Sequence, residues 1–119
     1  MELYRAWEDY LKAIFILQKK NGTVHSIDLA RRLKVSKASV SRAVKLLREG
    51  GMLTMDMDKC LTLTQAGSEI AAQLYEKYDI LATWLLRMGV DPETAETDAC
   101  RIEHVISEKT ISILRTQIE

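Results

Sequence analysis

The chain has 119 residues, 47% of them hydrophobic and 29% charged, with zero formal net charge. This size and composition are ordinary for one small soluble domain, or for two half-domains that share a core. No apolar run reaches the ~18 residues of a membrane span, so we exclude a transmembrane protein and expect a cytoplasmic one. The two cysteines, Cys60 and Cys100, exclude a disulfide framework and favour free thiols or metal ligands.

The zero net charge conceals an uneven distribution along the chain. Residues 1–63 carry 12 Lys and Arg against 7 Asp and Glu, whereas residues 64–119 carry 5 against 10. Residues 31–48 hold seven basic side chains and no acidic one. This distribution suggests a polyanionic partner for the first part, and a cation or a second subunit for the other.

Helical spacing of apolar residues predicts a first helix that ends at Asn21-Gly22, followed by a short second helix. Ser26 is the expected N-cap of the second helix, which we expect to reach Leu33. His25 is expected to be an exposed residue of the connecting turn. The apolar positions of the second helix that we expect to be buried are Ile27, Leu29, Ala30 and Leu33.

A third helix and a β-hairpin complete the first part of the chain. Ser36 is the expected N-cap of this helix, which runs to about Glu49 and ends at Gly50-Gly51. Its expected core face consists of Val40, Ala43, Val44 and Leu47. Alternating residues from Leu53 to Leu63 predict a hairpin with an Asp- and Lys-containing tip. This order of elements is that of a winged helix-turn-helix domain.

The third helix carries candidate DNA-contacting side chains opposite its core face. The guanidinium fork of Arg42 suits guanine O6 and N7, and the small Ala38 allows close approach to the bases. Neighbouring basic residues would hold phosphates. The full candidate set for DNA contact is Ser36, Lys37, Ala38, Ser39, Ser41, Arg42, Lys45, Arg48, Arg31, Arg32 and Lys59. The alternative is a solvated basic face on an ordinary helical protein.

The hairpin offers less to DNA than the third helix does. Asp56 and Asp58 would repel phosphate at its tip, which leaves Lys59 a minor contact. Met55, Met57 and Cys60 could form a soft-metal cluster, but alternating Met in a half-buried strand is more often packing.

Three helices are expected after the hairpin. Thr64 caps a long helix that runs to about Met88. Asp91 caps the next helix, and Pro92 occupies its first position. Ser107 caps a last helix that reaches the end of the chain.

The helix that begins at Pro92 carries an incomplete set of metal ligands. Cys100, Glu103 and His104 lie at positions i, i+3 and i+4 and would share one face. The packing seam of the same helix falls on a different face, at Ala95, Ala99, Ile102 and Ile106. A thiol, a carboxylate and an imidazole suit a first-row transition metal. Because a regulatory site should bridge parts that move, Asp9 in the first helix is the candidate fourth ligand.

Four segments together point to a known family. They are Glu8-Asp9-Tyr10-Leu11, the Val-Ser-Lys-Ala-Ser-Val-Ser-Arg start of the third helix, the Leu-Thr-Leu-Thr-Gln-Ala-Gly join, and Cys100-Arg-Ile-Glu-His-Val. With these segments the chain resembles, over essentially its whole length, the diphtheria-toxin-repressor and manganese-transport-regulator family of metal-dependent repressors.

The resemblance implies a mainly α protein with two domains. A winged-helix DNA-binding domain would span residues 1–63, and an all-helical dimerisation and metal-binding domain would span residues 64–119. The partners it implies are double-stranded DNA with a palindromic operator and a second copy of the chain. The positions that match the ligands of the family are Asp9, Cys100, Glu103 and His104.

Four positions depart from the family pattern, and they bear on how many metal ions each subunit binds. Lys12 stands where manganese-type members have a second carboxylate, and Tyr78 stands where the family commonly has a histidine. Ala82 and Glu96 replace further ligands of a second metal, although Glu96 could act as an outer ligand. The chain also stops without the SH3-like domain of longer members. An ammonium beside Asp9 is a poor neighbour for a second cation, so we expect one metal per subunit.

We therefore predict a homodimeric repressor, not an enzyme, that Fe(II) or Mn(II) activates. Zn(II) and Co(II) are further ions that this set of ligands could bind. The main alternative is a regulator of the same fold that has lost metal dependence. For Asp9 and Lys12 themselves, the alternative to a metal site is a surface ion pair. A zinc hydrolase that uses Glu103 as base is disfavoured because the sequence offers no oxyanion donors. A structural zinc protein is disfavoured because such sites are rich in Cys.

Overall fold

A computed structural model of the chain describes the backbone of residues 2–119 and the side chains of residues 7–119. Over this part of the chain there are six helices and one two-stranded sheet, which confirms the mainly α fold class. The elements are α1 (Glu2–Asn21), α2 (Ser26–Leu33), α3 (Lys37–Glu49), β1 (Leu53–Met55), β2 (Leu61–Leu63), α4 (Gln65–Arg87), α5 (Pro92–Ile102) and α6 (Glu108–Ile118). None of the described helices is both long and apolar enough to cross a membrane.

The chain divides into two compact units, which we call the amino-terminal unit, up to Ala72, and the carboxy-terminal unit, from Gln73. The first contains α1, α2, α3, the hairpin and the beginning of α4. The second contains the rest of α4 with α5 and α6. This division falls within α4, whereas the sequence places a functional boundary at residues 63–64; that boundary stays a prediction.

Side-chain caps fix the beginnings of three helices. The hydroxyls of Ser36 and Ser107 and the carboxylate of Asp91 each accept a hydrogen bond from the backbone N–H three residues later, at 3.0–3.1 Å. Each bond satisfies one N–H that the first turn of a helix would otherwise leave without an acceptor. In the case of Asp91, the bonds from Thr94 lower the pKa of the carboxyl. All three caps were predicted from the sequence and are confirmed.

The beginning of α2 differs from the prediction. His25, not Ser26, is the N-cap residue, and its backbone N–H donates to Asp28 Oδ2 at 2.8 Å. The expected burial of Ile27 is also wrong, because its side chain is 43% exposed. Leu29 faces the core from this short helix, and a residue two positions earlier lies on the far side of the helix.

The core of the amino-terminal unit joins α1, α2 and α3 to the sheet. The largest side chains with almost no exposure are Ile14, Val24, Leu29, Val40, Leu47 and Leu61. The predicted core face of α3 is buried, so the opposite face of α3 is left to solvent. The strands pair antiparallel with Leu53 opposite Leu63, and the Leu61 N–H also donates to the Val24 carbonyl at 2.7 Å. The segment before α2 is thereby attached to β2.

The carboxy-terminal unit packs α5 and α6 against the second part of α4. Its buried cluster consists of Ile80, Leu81, Ala99 and Ile111. Lys77 of α4 lies 3.1 Å from the Glu108 carboxylate of α6, and Glu76 pairs with Arg115. These two ion pairs connect α4 to α6, on either side of the segment that carries the candidate metal ligands.

Gly67 sits where the hairpin turns into α4. The Thr64 hydroxyl accepts from the Gly67 N–H at 3.2 Å and donates to the Gly51 carbonyl at 2.7 Å. The Thr64 N–H donates to the Met52 carbonyl at 3.1 Å, which brings that backbone against the first turn of α4. A Cβ on Gly67 would stand 2.2 Å from the Met52 carbonyl oxygen, closer than two such atoms can approach.

We expect Gly67→Ala to lower the free energy of unfolding by about 1–3 kcal/mol, because the backbone of Met52 or of α4 must shift to admit the methyl group. Urea unfolding monitored by circular dichroism measures this change. Ala66→Ser, at the exposed neighbouring position, is the control and should stay within about 0.5 kcal/mol of wild type. A Gly67→Ala protein as stable as the control would show that the close approach is not required.

Candidate functional sites

The candidate DNA-contacting residues form one exposed surface of the amino-terminal unit. All of them are exposed except Ser39, which is half-buried. The backbone N–H and the hydroxyl of Ser39 lie 3.1 and 3.0 Å from Ser36 Oγ. Arg42 lies near enough to Tyr10 of α1 to lower the pKa of that phenol, against a larger rise caused by burial. The candidate DNA-contacting surface therefore lies within electrostatic range of a buried residue of α1 and leaves its basic side chains exposed.

A groove of about 630 Å³ runs between α3 and β1. Lys45 and Arg48 stand on its α3 side, and Thr54 lies on the strand side. Two cations beside an open groove suit a phosphate backbone, since both charges stay accessible.

The tip of the hairpin is better ordered than its composition suggests. Asp56 Oδ1 accepts hydrogen bonds from the N–H groups of Asp58 and Cys60, each at 2.9 Å. Lys59 adopts a left-handed conformation with φ of 62°. Asp56 therefore points its carboxylate at the backbone of its own turn, and it keeps the negative charge that disfavours phosphate at the tip.

Glu103 and His104 form a deeply buried polar pair in the carboxy-terminal unit. Their side chains are 0% and 5% exposed, and His104 Nε2 lies 3.6 Å from Glu103 Oε1. Helix α5 ends at Ile102, but Glu103 keeps α-helical backbone angles and its N–H donates to the Ala99 carbonyl at 3.0 Å. The helical backbone that begins in α5 thus continues through Glu103, and the helical spacing between Cys100 and Glu103 is kept.

The predicted ligand stripe is not an exposed face of the helix. Glu103 is 1% exposed, as deeply buried as Ala95 and Ala99 of the seam. Helical spacing shows which residues share a face, but it does not show how many faces of a short helix the rest of the unit covers.

This pair fits a divalent transition metal. A carboxylate oxygen and an imidazole nitrogen 3.6 Å apart are close enough to bind one ion at the usual ligand distances of ~2.0–2.2 Å. Burial of a carboxylate is costly unless positive charge accompanies it, and a metal ion supplies that charge. Cys100 is half-buried one turn earlier and offers a thiol on the same face.

Tyr78 of α4 lies among the candidate ligands. Burial raises the pKa of its phenol, and the negative charges of Glu96, Cys100 and Glu103 raise it further. The phenol therefore stays protonated near these groups and remains a hydrogen-bond donor. Glu96 is exposed on α5, and Ala82 is half-buried on α4.

The remaining predicted ligand belongs to the other unit. Asp9 is half-buried on α1, and Lys12, one turn later, is only 9% exposed. An ion pair between these two residues stays a prediction, but Lys12 is too buried for it to be an ordinary surface pair. The carboxy-terminal unit alone holds Cys100, Glu103 and His104.

One further contact between two possible metal ligands was not predicted from the sequence. Cys60 Sγ lies 3.3 Å from His25 Nε2, although 35 residues separate them along the chain. No local spacing connects two such positions. The only signal would have been the pairing of the segment around Val24 with β2, and that segment is too short to show a strand pattern.

Comparison with known proteins identifies relatives along the whole chain. Residues 2–61 match the family model described as the iron dependent repressor, N-terminal DNA binding domain. Residues 64–119 match the model described as the iron dependent repressor, metal binding and dimerisation domain. The transcriptional regulator MntR of Escherichia coli O157:H7 is 34% identical over 108 residues, which is 91% of this chain and 70% of that protein.

Solved structures give the same fold. The crystal structure of T. acidophilum IdeR superposes with a TM-score of 0.83 at 28% identity, covering 92% of this chain and 52% of that one. The manganese regulator SloR superposes with a TM-score of 0.83 at 26% identity, covering 94% and 53%. The chain thus spans about half the length of these structural relatives.

A titration of the metal-free protein tests the placement of Tyr78. We expect the phenol that Tyr78→Phe removes to ionise at a higher pH than an ordinary tyrosine, because burial and nearby negative charge both favour its neutral form. Glu96→Gln should lower this pKa, and Glu93→Gln, an exposed change one turn earlier on α5, should not. Ultraviolet difference absorbance measures the ionisation. An unchanged pKa in Glu96→Gln would contradict the placement of the two side chains.

Proposed function

Because the chain belongs to the iron-dependent repressor family, we propose that it is a homodimeric transcriptional repressor whose operator binding requires one divalent transition-metal ion per subunit. The observation that supports this most directly is the buried Glu103–His104 pair, which lies within the segment matched by the metal-binding and dimerisation model. In the proposed division of labour, residues 1–63 contact DNA and residues 64–119 hold the metal and the second subunit.

The proposed metal ligands are Asp9, Cys100, Glu103 and His104, with Glu96 as an outer partner. Glu103 and His104 provide an oxygen and a nitrogen that are shielded from water. Bound there, the ion would supply positive charge to the buried carboxylate and a link to Asp9 on α1. Two carboxylates admit Mn(II) and Fe(II), while the thiol and the imidazole also admit Zn(II) and Co(II).

Two residues support a single ion in place of a pair. Lys12 is 9% exposed and follows Asp9 by one helical turn, so its ammonium disfavours a second cation near that carboxylate. Tyr78 keeps a protonated phenol close to Glu96 and Cys100, and a neutral phenol is a much weaker ligand for a second ion than an imidazole or a carboxylate.

The proposed DNA contacts centre on α3. Arg42 would bind guanine in the major groove, and Lys37, Lys45 and Arg48 would hold phosphates, with Arg31, Arg32 and Lys59 at the margins. A dimer places two such helices on one side of the duplex. Their separation of ~34 Å in the DNA-bound state would match successive major grooves of a palindromic operator.

Metal regulates binding if the ion favours this arrangement of the two amino-terminal units over others. A preference of only ~1–3 kcal/mol changes the affinity for DNA by about 5–150-fold. Linking Asp9 of α1 to Glu103 and His104 would provide such a preference, because α1 packs directly beneath α3 in the same unit.

Fluorescence anisotropy of a labelled operator tests the metal requirement. We expect Mn(II) or anaerobic Fe(II) to tighten binding at least about fivefold over EDTA, and His104→Ala to remove that gain. Val105→Ala, which changes an exposed neighbour, is the control and should respond as wild type does. Equal affinity of wild type in EDTA and in each metal would refute metal regulation while leaving DNA binding intact.

The same assay with operator variants tests Arg42. Arg42→Ala should weaken binding by about 1–3 kcal/mol and relax the preference for guanine at one position of each half-site. Lys45→Ala should weaken binding to all sequences alike and reduce the dependence on salt. Lys20→Ala, an exposed basic residue of α1, is the control. An Arg42→Ala protein with wild-type affinity and base preference would exclude Arg42 from base recognition.

A further inference from the structure

A second pair of metal-binding side chains lies in the amino-terminal unit. Cys60, at the end of the hairpin loop, places its Sγ 3.3 Å from Nε2 of His25, the N-cap residue of α2. Sulfur and nitrogen ligands of one tetrahedral zinc ion lie roughly 3.5 Å apart, given Zn–S and Zn–N distances of ~2.3 and ~2.0 Å. The two donor atoms are therefore almost at the spacing that such an ion requires.

Backbone hydrogen bonds hold both residues in place. The Cys60 N–H donates to Asp56 Oδ1 at 2.9 Å, and the next residue, Leu61, donates to the Val24 carbonyl at 2.7 Å. The His25 N–H donates to Asp28 Oδ2 at 2.8 Å. The two donors thus come from segments that the main chain joins directly, so little ordering remains to be done when an ion binds.

Asp28 also stands on the far side of the imidazole. Its Oδ2 lies 3.9 Å from His25 Nδ1, while Nε2 faces the sulfur. The carboxylate is a negatively charged neighbour of the imidazole and would favour a cation bound at Nε2. Histidine ligands commonly have such a partner.

The charges around Cys60 favour a cation. The carboxylates of Asp56 and Asp58 lie within electrostatic range of the Cys60 side chain, and their negative charge attracts a divalent ion. The 44% exposure of the His25 side chain leaves room for water to complete the coordination of that ion.

We propose that Cys60 and His25 form an accessory site for a thiophilic divalent ion such as Zn²⁺ or Cd²⁺, with Asp28 as the outer partner of His25. On binding, the sulfur–metal bond forms as the thiol proton passes to solvent, with no change of oxidation state. The ion would tie the hairpin to the beginning of α2. None of the four residues of the proposed regulatory site takes part, so each site can be tested without the other.

Cadmium titration of the Cys100→Ser/His104→Ala chain tests this proposal, because Cys60 is then the only cysteine. We expect a saturable sulfur-to-cadmium charge-transfer absorption that reaches one ion per chain. Adding Cys60→Ser should abolish it. Adding His25→Ala should weaken binding at least tenfold, and Asp28→Asn should weaken it about tenfold. Adding Met57→Ala, at a fully exposed residue of the same hairpin, is the control and should change nothing.

Two outcomes would overturn the proposal. No saturable absorption would mean that the pair is a hydrogen bond only. An affinity that His25→Ala leaves unchanged would mean that cadmium binds a single thiol. Circular dichroism of each variant reports folding, and Cys100→Ser alone, with His104 retained, gives the same comparison if the double background does not fold.

Discussion

Burial of the Glu103 carboxylate beside the His104 imidazole is the constraint on which the proposed mechanism depends. A carboxylate with 0% of its side chain exposed must be accompanied by positive charge or hydrogen-bond donors, and the imidazole nitrogen 3.6 Å away is itself a metal ligand. The pair follows directly on α5, in the unit where α4, α5 and α6 form a buried apolar cluster. Two of the four proposed ligands are therefore side chains that the fold keeps away from water.

The amino-terminal unit is built so that an effect on α1 can reach DNA. Buried side chains of α1, α2, α3 and the sheet form one core, and Tyr10 of α1 lies within electrostatic range of Arg42 on the exposed side of α3. Restricting α1 through Asp9 would therefore restrict α3. Lys12 is buried one turn after Asp9, and Tyr78 keeps its proton beside Glu96 and Cys100, and the proposal of a single ion rests on these two residues.

The helices and strands could be predicted from the sequence, but the burial of individual side chains could not. Ser36, Asp91 and Ser107 were recognisable as caps because a cap is a local interaction between residues three positions apart. The burial of Glu103 and Lys12 and the exposure of Ile27 were not predictable, since helical spacing does not specify which neighbours cover a face. The contact of His25 with Cys60 depends on strand-like pairing across 35 residues, which no local pattern reveals.

Hydrogen–deuterium exchange of the intact dimer, with and without Mn(II), is the most direct measurement of the central claim that one ion links α1 to the end of α5. We predict that metal slows amide exchange both in α1 around Asp9 and in the Glu103–His104 turn. In Asp9→Asn, metal should protect the turn alone. Protection that stays confined to the turn in the wild-type protein would contradict the account, because the ion would then have no connection to the DNA-binding half.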